Sequence, residues 1–184
     1  MPTPASSPKQ WETPPPVDTD SGKYLWTLTT NCGDIVIEID AKLAPVTASS
    51  MRFLSENSFF NGSACHRLTT SGIFVLQCGD PLGTGAGSSG YRIIEENLPT
   101  TNPALYATGE VAMANSGQPQ TSGSQFFIVF QDTQLAPTYT KFGKVVKGMD
   151  ILQLVASAGV IGGSGDGTPN QSIGIISTTF EKTK

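Results

Sequence analysis

Histidine is nearly absent from this sequence, charge is sparse, and cysteine is rare: the 184 residues hold one histidine, three cysteines and 14% charged residues. A lone His66 cannot supply a histidine-driven triad unless an orienting group and a nucleophile surround it, so hydrolytic chemistry of that type is not expected. Three cysteines and one histidine fall short of the usual four ligands of structural zinc without borrowed carboxylates, and no metal or cofactor is expected. With a formal charge of −4 and a pI near 4.9, the chain lacks the basic surface that a nucleic-acid partner requires. No run of about twenty apolar residues occurs, so no membrane span is expected. The start also lacks the charged-then-apolar pattern of a secretion signal. As written, the chain reads as cytoplasmic. The alternative is an exported or tethered protein whose Pro/Ser/Thr stalk remains after an upstream anchor was removed.

What is present is 38% hydrophobic residues over a length that suits one domain with a substantial core. Pro2, Pro4, Pro8, Pro14, Pro15 and Pro16, with Ser, Thr and Asp between them, bury too little apolar surface to offset ordering. Residues 1–22 therefore read as a disordered tail and 23–184 as the domain. Residues 24–30 and 34–40 alternate as two strands about a tight turn. Residues 44–57 change period to a helix opening at Pro45, and 148–158 support a second one. Many short strands and two helices indicate a mainly β protein, a closed antiparallel barrel with helical caps. Gly85, Gly87 and Gly90 fit a dinucleotide fingerprint in spacing. The strand-like residues that follow and Pro99 deny it the helix it must open into, so a surface loop is expected.

Residues 65–80 read as a hairpin turning at Thr-Thr-Ser-Gly and returning through Phe74, Val75 and Leu76. Alternation places Cys65 with Arg67 on one face of the outgoing strand and Val75 with Gln77 on one face of the returning strand, so that a cation, an amide and an apolar patch meet on one wall. The same alternation turns Cys78 away from Cys65 and His66 away from Arg67. All three cysteines are accordingly expected as thiols.

Several blocks then occur in a telling order: His66-Arg67, Phe74-Val75-Leu76-Gln77 ending in Gly79-Asp80, Met113-Ala114-Asn115, Gly123-Ser124-Gln125-Phe126-Phe127 and Phe142-Gly143-Lys144-Val145. On these the chain resembles the cyclophilins, a family of peptidyl-prolyl cis–trans isomerases, over about residues 24–180. The resemblance implies a closed eight-stranded barrel capped by two helices, with an active groove on its outer wall. It implies that Arg67 is the catalytic arginine, that Gln77 orients substrate and arginine, and that Phe74, Val75, Phe127 and Leu135 receive the proline ring. Asn115 then offers backbone hydrogen bonds to an extended peptide, and Ala114, Ser116 and Gln125 line the adjoining groove.

Three positions depart from the family pattern. Val75 stands where many members have methionine. Gln134, or Thr133 beside it, stands where many have the tryptophan associated with cyclosporin binding. Tyr139 replaces a frequent histidine on the groove wall. The implied function is isomerisation of X–Pro bonds in peptides and unfolded proteins, by a monomer and in aid of folding, with cyclosporin binding possible but weakened. The alternative is a proline-peptide binding module or chaperone with vestigial activity.

Overall fold

The computed structural model describes residues 9–183. Strand β1 (Lys23–Thr30) and β2 (Gly33–Asp40) form the expected hairpin, with Trp26 opposite Ile37. Its alternation buries Tyr24, Trp26 and Leu28 from one strand and Ile35, Ile37 and Ile39 from the other. Helix α1 (Pro45–Glu56) opens on a proline, where the missing N–H costs nothing. Ala44 before it supplies no side-chain cap. Glu96 does this from a distance, accepting the Val46 and Thr47 N–H groups at 3.3 and 2.6 Å.

The chain continues through β3 (Arg67–Ser71), β4 (Ile73–Cys78), β5 (Ala104–Tyr106), β6 (Glu110–Met113), β7 (Phe126–Val129), β8 (Thr133–Leu135) and β9 (Lys141–Lys147). It closes with helix α2 (Met149–Ala158), β10 (Asp166–Gly167) and β11 (Ile175–Lys182). The order β10-β3-β4-β7-β6-β9-β2-β1-β11 makes one curled antiparallel sheet, and β5 pairs with β8 beside it. The fold is therefore mainly β with two helices, as expected, but the count and closure differ from a simple eight-stranded barrel. The two-residue β10 brings the sheet to nine strands. Its curl is joined not by a full ladder but by the single bridge Ala64–Gly174, with Cys65 N–H on the Ile173 carbonyl at 3.0 Å. Residues 91–94 join no strand and make only the bridge of Ile93 to Ser122.

Trp26 sits at the centre of the core, fully buried, with its ring against Phe126 at 4.9 Å and Phe60 at 5.4 Å. Its Nε1–H donates to Ser55 Oγ of α1 at 2.8 Å, so the one polar atom carried inside is satisfied.

Two expectations are corrected here. Over residues 9–22 the supposed tail lies against the body: Trp11 packs edge-on to Phe53 at 5.1 Å and donates its backbone N–H to Ser89. Asp18 pairs with Arg52 and Asp20 with Lys182. One large aromatic ring and two carboxylates provide anchorage that the Pro/Ser/Thr composition masked; residues 1–8 of that expectation lie outside the described residues. The second correction is chemical: Cys65 and Cys78 form a disulfide, and Cys32 alone is a free thiol. Among the described residues no helix is long and apolar enough to cross a membrane.

Candidate active site

Strands β3 and β4 pair with Arg67 directly opposite Gln77, and β7 continues the sheet with Phe127 opposite Gln77. Three chemically different side chains are thereby stacked across one outer wall. Beside them a cavity of about 150 Å³ is lined by Arg67, Ile73, Val75, Gln77, Phe127, Leu135 and Tyr139, with Ala114 and Asn115. Its apolar wall is well supported. Phe127 meets Tyr139 edge-on at 5.5 Å, and Tyr106, fully buried behind them, stands 6.0 Å from Phe127. The Tyr106 hydroxyl donates to the Tyr139 carbonyl at 3.1 Å and accepts the Tyr139 N–H at 3.3 Å, fixing the loop that carries the outer wall. Burial pushes its pKa up to about 12, so the phenol stays neutral.

A second cavity adjoins the first, sharing Gln77, Ala114 and Asn115 and adding Ser116, Gln125 and the Gly85–Gly87 loop. Between the two runs an unbroken amide relay. Arg67 Nη1 donates to Gln77 Oε1 at 3.2 Å, Gln77 Nε2 to Gln125 Oε1 at 2.8 Å, and Gln125 Nε2 to the carbonyls of Gly85 and Gly87 at 2.9 Å. On the opposite edge of the guanidinium, Asp166 accepts from Nε at 2.8 Å and Nη2 at 2.7 Å. The hydrogen bond to Asp166 raises the arginine's pKa and lowers the aspartate's, so both remain charged.

The glycine-rich loop has found a ligand within its own chain. Asp80, buried at the end of β4, accepts the N–H groups of Leu82, Thr84 and Gly85 at 2.7, 2.8 and 2.5 Å. Burial alone would raise its pKa, but these donors and Gly87 outweigh it and hold the carboxyl below its ordinary range. The Cβ of any larger residue at Gly87 would collide with that carboxylate, so the loop wraps an anion of its own and opens no helix. His66 lies with its ring against Gly85 and lines neither cavity. Burial lowers its pKa, with Asp80 opposing and Arg67 reinforcing the shift.

Of the residues named from the sequence, Arg67, Val75, Gln77, Ala114, Asn115, Phe127, Leu135 and Tyr139 meet around the first cavity, and Ser116 and Gln125 line the second. Two do not meet there. Phe74 turns inward and packs edge-on to Phe130 at 6.1 Å, because β4 alternates and the cavity takes Ile73, Val75 and Gln77. Gln134 is exposed on β8 beside Leu135, while Thr133 is buried. Ile73, Tyr106 and Asp166 were missed. Ile73 was within reach, since it stands two and four residues before Val75 and Gln77; the other two carry no local signal.

The fold that carries this arginine and cavity resembles a solved cyclophilin-type peptidyl-prolyl cis-trans isomerase of Cryptosporidium parvum, crystallised in the presence of the dipeptide Ala-Pro. The match has a TM-score of 0.71 and 26% identity, covering 86% of this chain and 99% of that one. The chain is also 41% identical over 176 residues to a probable peptidyl-prolyl cis-trans isomerase B of Mycobacterium tuberculosis, covering 90% of this chain and 57% of the relative. With a peptidyl-prolyl cis-trans isomerase of Helicobacter pylori it shares 37% identity over 138 residues, covering 73% of this chain and 82% of that one. The family model described as "Cyclophilin type peptidyl-prolyl cis-trans isomerase/CLD" matches residues 25–180. The chain belongs to this family, and it spans 57% of the length of its M. tuberculosis relative.

Proposed function

We propose that the protein accelerates cis–trans rotation about X–Pro bonds in peptides and unfolded proteins, and so assists folding steps that otherwise take tens to hundreds of seconds. The observation that carries this reading is Arg67, held charged and hydrogen-bonded to Gln77 on the wall of an apolar cavity suited to a proline ring. Rotation is opposed by amide resonance, about 18–20 kcal/mol. A guanidinium N–H donated to the prolyl nitrogen is accepted only once the amide twists and its lone pair localises, so the twisted form is bound better than either planar form. Val75, Phe127, Leu135 and Tyr139 hold the ring, Asn115 the extended chain, and no proton or nucleophile is exchanged.

A pure binding module would need the cavity but no arginine beside it, which favours the enzyme. The Ala-Pro dipeptide present with the Cryptosporidium protein supports the substrate class. The buried disulfide supports the exported alternative over a reducing cytoplasm. Turnover of a short X–Pro peptide in a protease-coupled assay tests the proposal; a folded protein that leaves the uncatalysed rate unchanged would refute it.

With no acid–base step, turnover is expected to stay nearly flat between about pH 6 and 8. His66, the one side chain whose ordinary pKa lies in that window, has it lowered by burial and lines neither cavity. Its depressed pKa should appear in stability instead: the contribution is complete above the unfolded value near 6.5 and declines as pH falls toward the lower folded value. Tm profiles of wild type and His66→Gln should therefore diverge below about pH 6.5. A sigmoid in turnover that disappears in the variant would overturn this assignment.

Cyclosporin should bind, with its apolar face on the Phe127, Val75 and Leu135 wall. Gln134 offers at most a hydrogen bond where a tryptophan would add a broad ring and an indole donor. Gln134→Trp is expected to tighten binding about ten- to a hundred-fold with little change in peptide turnover. Equal affinities by titration calorimetry would show the position to be energetically silent.

A further inference from the structure

Asp166 arrives at Arg67 from a different part of the chain, 99 residues away in sequence, on a loop built to deliver it. Strand β10 sets Asp166 opposite Thr69 and Gly167 opposite Leu68, and the Gly165 carbonyl accepts the Thr70 N–H at 2.7 Å. Ser164 Oγ donates to the Asp166 carbonyl at 2.7 Å, closing the turn beneath it. Gly165 has φ +80°, and a Cβ there would approach Ser71 Cβ to 2.9 Å, so the position demands glycine. Backbone bonds on both sides of Asp166 thus hold its carboxylate against the guanidinium.

We infer that Asp166 is a positioning residue for isomerisation, clamping the Arg67 guanidinium so that its free N–H groups are presented to the prolyl amide. The inference rests on the reading of Arg67 as the catalytic group. A guanidinium has five N–H donors. Asp166 takes one from Nε and one from Nη2, and Gln77 takes one from Nη1, which leaves one on each terminal nitrogen. The side chains of the pair are 40% and 53% exposed, so the contact adds little to folding, and its effect is on where the arginine points. A planar fork held at two nitrogens loses most of the freedom of a long flexible side chain before substrate arrives. The carboxylate also draws on the positive charge, which opposes catalysis. Water reaches both groups, so that electrostatic loss is screened while the geometric gain is not. Asp166 lines neither cavity, and its action is through Arg67 alone.

The test compares wild type, Arg67→Ala, Asp166→Ala, Asp166→Asn and Asp166→Glu on one X–Pro peptide, with kcat and KM separated by exchange line shapes. Asp166→Ala and Asp166→Asn should lower kcat about three- to ten-fold with KM changed less than about two-fold, and Asp166→Glu should recover most of the loss. The Arg67 Nε–H resonance, shifted by the carboxylate in wild type, should move toward that of free arginine in both variants. If wild type is inactive, or Arg67→Ala matches it, the isomerase reading itself fails. If those two behave as expected while the folded Asp166 variants keep or raise kcat, the positioning role alone is overturned. Asp166→Asn preserves shape and volume, so the comparison stands even if the alanine variant folds poorly.

Discussion

Arg67→Ala lowers kcat/KM for peptide isomerisation by about ten-fold or more, the loss expected when a transition-state contact worth over ~1.4 kcal/mol is removed. The planar amide offers its nitrogen no lone pair to accept a hydrogen bond, so a donor aimed there gains its partner only in the twisted state. Val75, Phe127 and Leu135 still form the cavity in the variant, so KM should change less than kcat. Stability should hardly move. Arg67 is on the outer wall and its pairing with Asp166 is half exposed, the kind of contact worth about 0–1 kcal/mol. Arg67→Lys is the sharper control: an ammonium keeps the charge but cannot form the fork with Asp166 while also reaching Gln77, so it should recover only part of the rate. Full activity in a folded Arg67→Ala protein, measured in the protease-coupled assay, would refute the mechanism.

Periodicity made the regular parts of this chain legible. Three isoleucines alternating along β2 and the apolar stripe opened by Pro45 produce elements whose ends fall within two residues of expectation. Arg67 and Gln77 were also within reach, since a two-stranded hairpin sets its own register. What was hidden depends on contacts between distant segments. Asp166 meets Arg67 only because a glycine-rich loop adds a two-residue strand to β3, and Tyr106 supports Tyr139 only because β5 pairs with β8. Trp11 anchors the amino-terminal segment through aromatic rings more than forty residues ahead of it. Phe74 shows the opposite failure, a residue assigned by resemblance against the alternation of its own strand. The cysteine error is a third kind. Alternation holds only where a strand is paired, and β3 begins at Arg67. Residues 64–66 leave its ladder to bridge Gly174 and Ile173, so Cys65 faces the core while Arg67 faces out. Freed from the strand's period, Cys65 comes within a 4.0 Å Cα separation of Cys78.

That disulfide leads to the largest expected effect on stability. It joins residues 13 apart, and for a loop of that size the chain-entropy model gives a stabilisation of about 3 kcal/mol. Both cysteines are buried against the core, so Cys65→Ala with Cys78→Ala leaves a small void in addition to the freed loop. For a protein of this length each kilocalorie shifts Tm by roughly 2–4 °C, so the double variant should melt about 6–12 °C lower. Activity at 25 °C should survive. The register of Arg67 against Gln77 is carried by the β3–β4 ladder, and the relay from Gln77 through Gln125 to Gly85 and Gly87 involves neither sulfur. Reduction of the wild type should lower Tm by most of the variant's shift, since it frees the loop without leaving the void, and thiol titration of the denatured protein should rise from the single Cys32 before reduction to all three cysteines after it. Three titratable thiols without reductant, or a double variant that melts with the wild type, would show that the bridge is absent or contributes nothing; a large loss of kcat/KM at unchanged Tm would mean that it acts on the groove rather than on the fold.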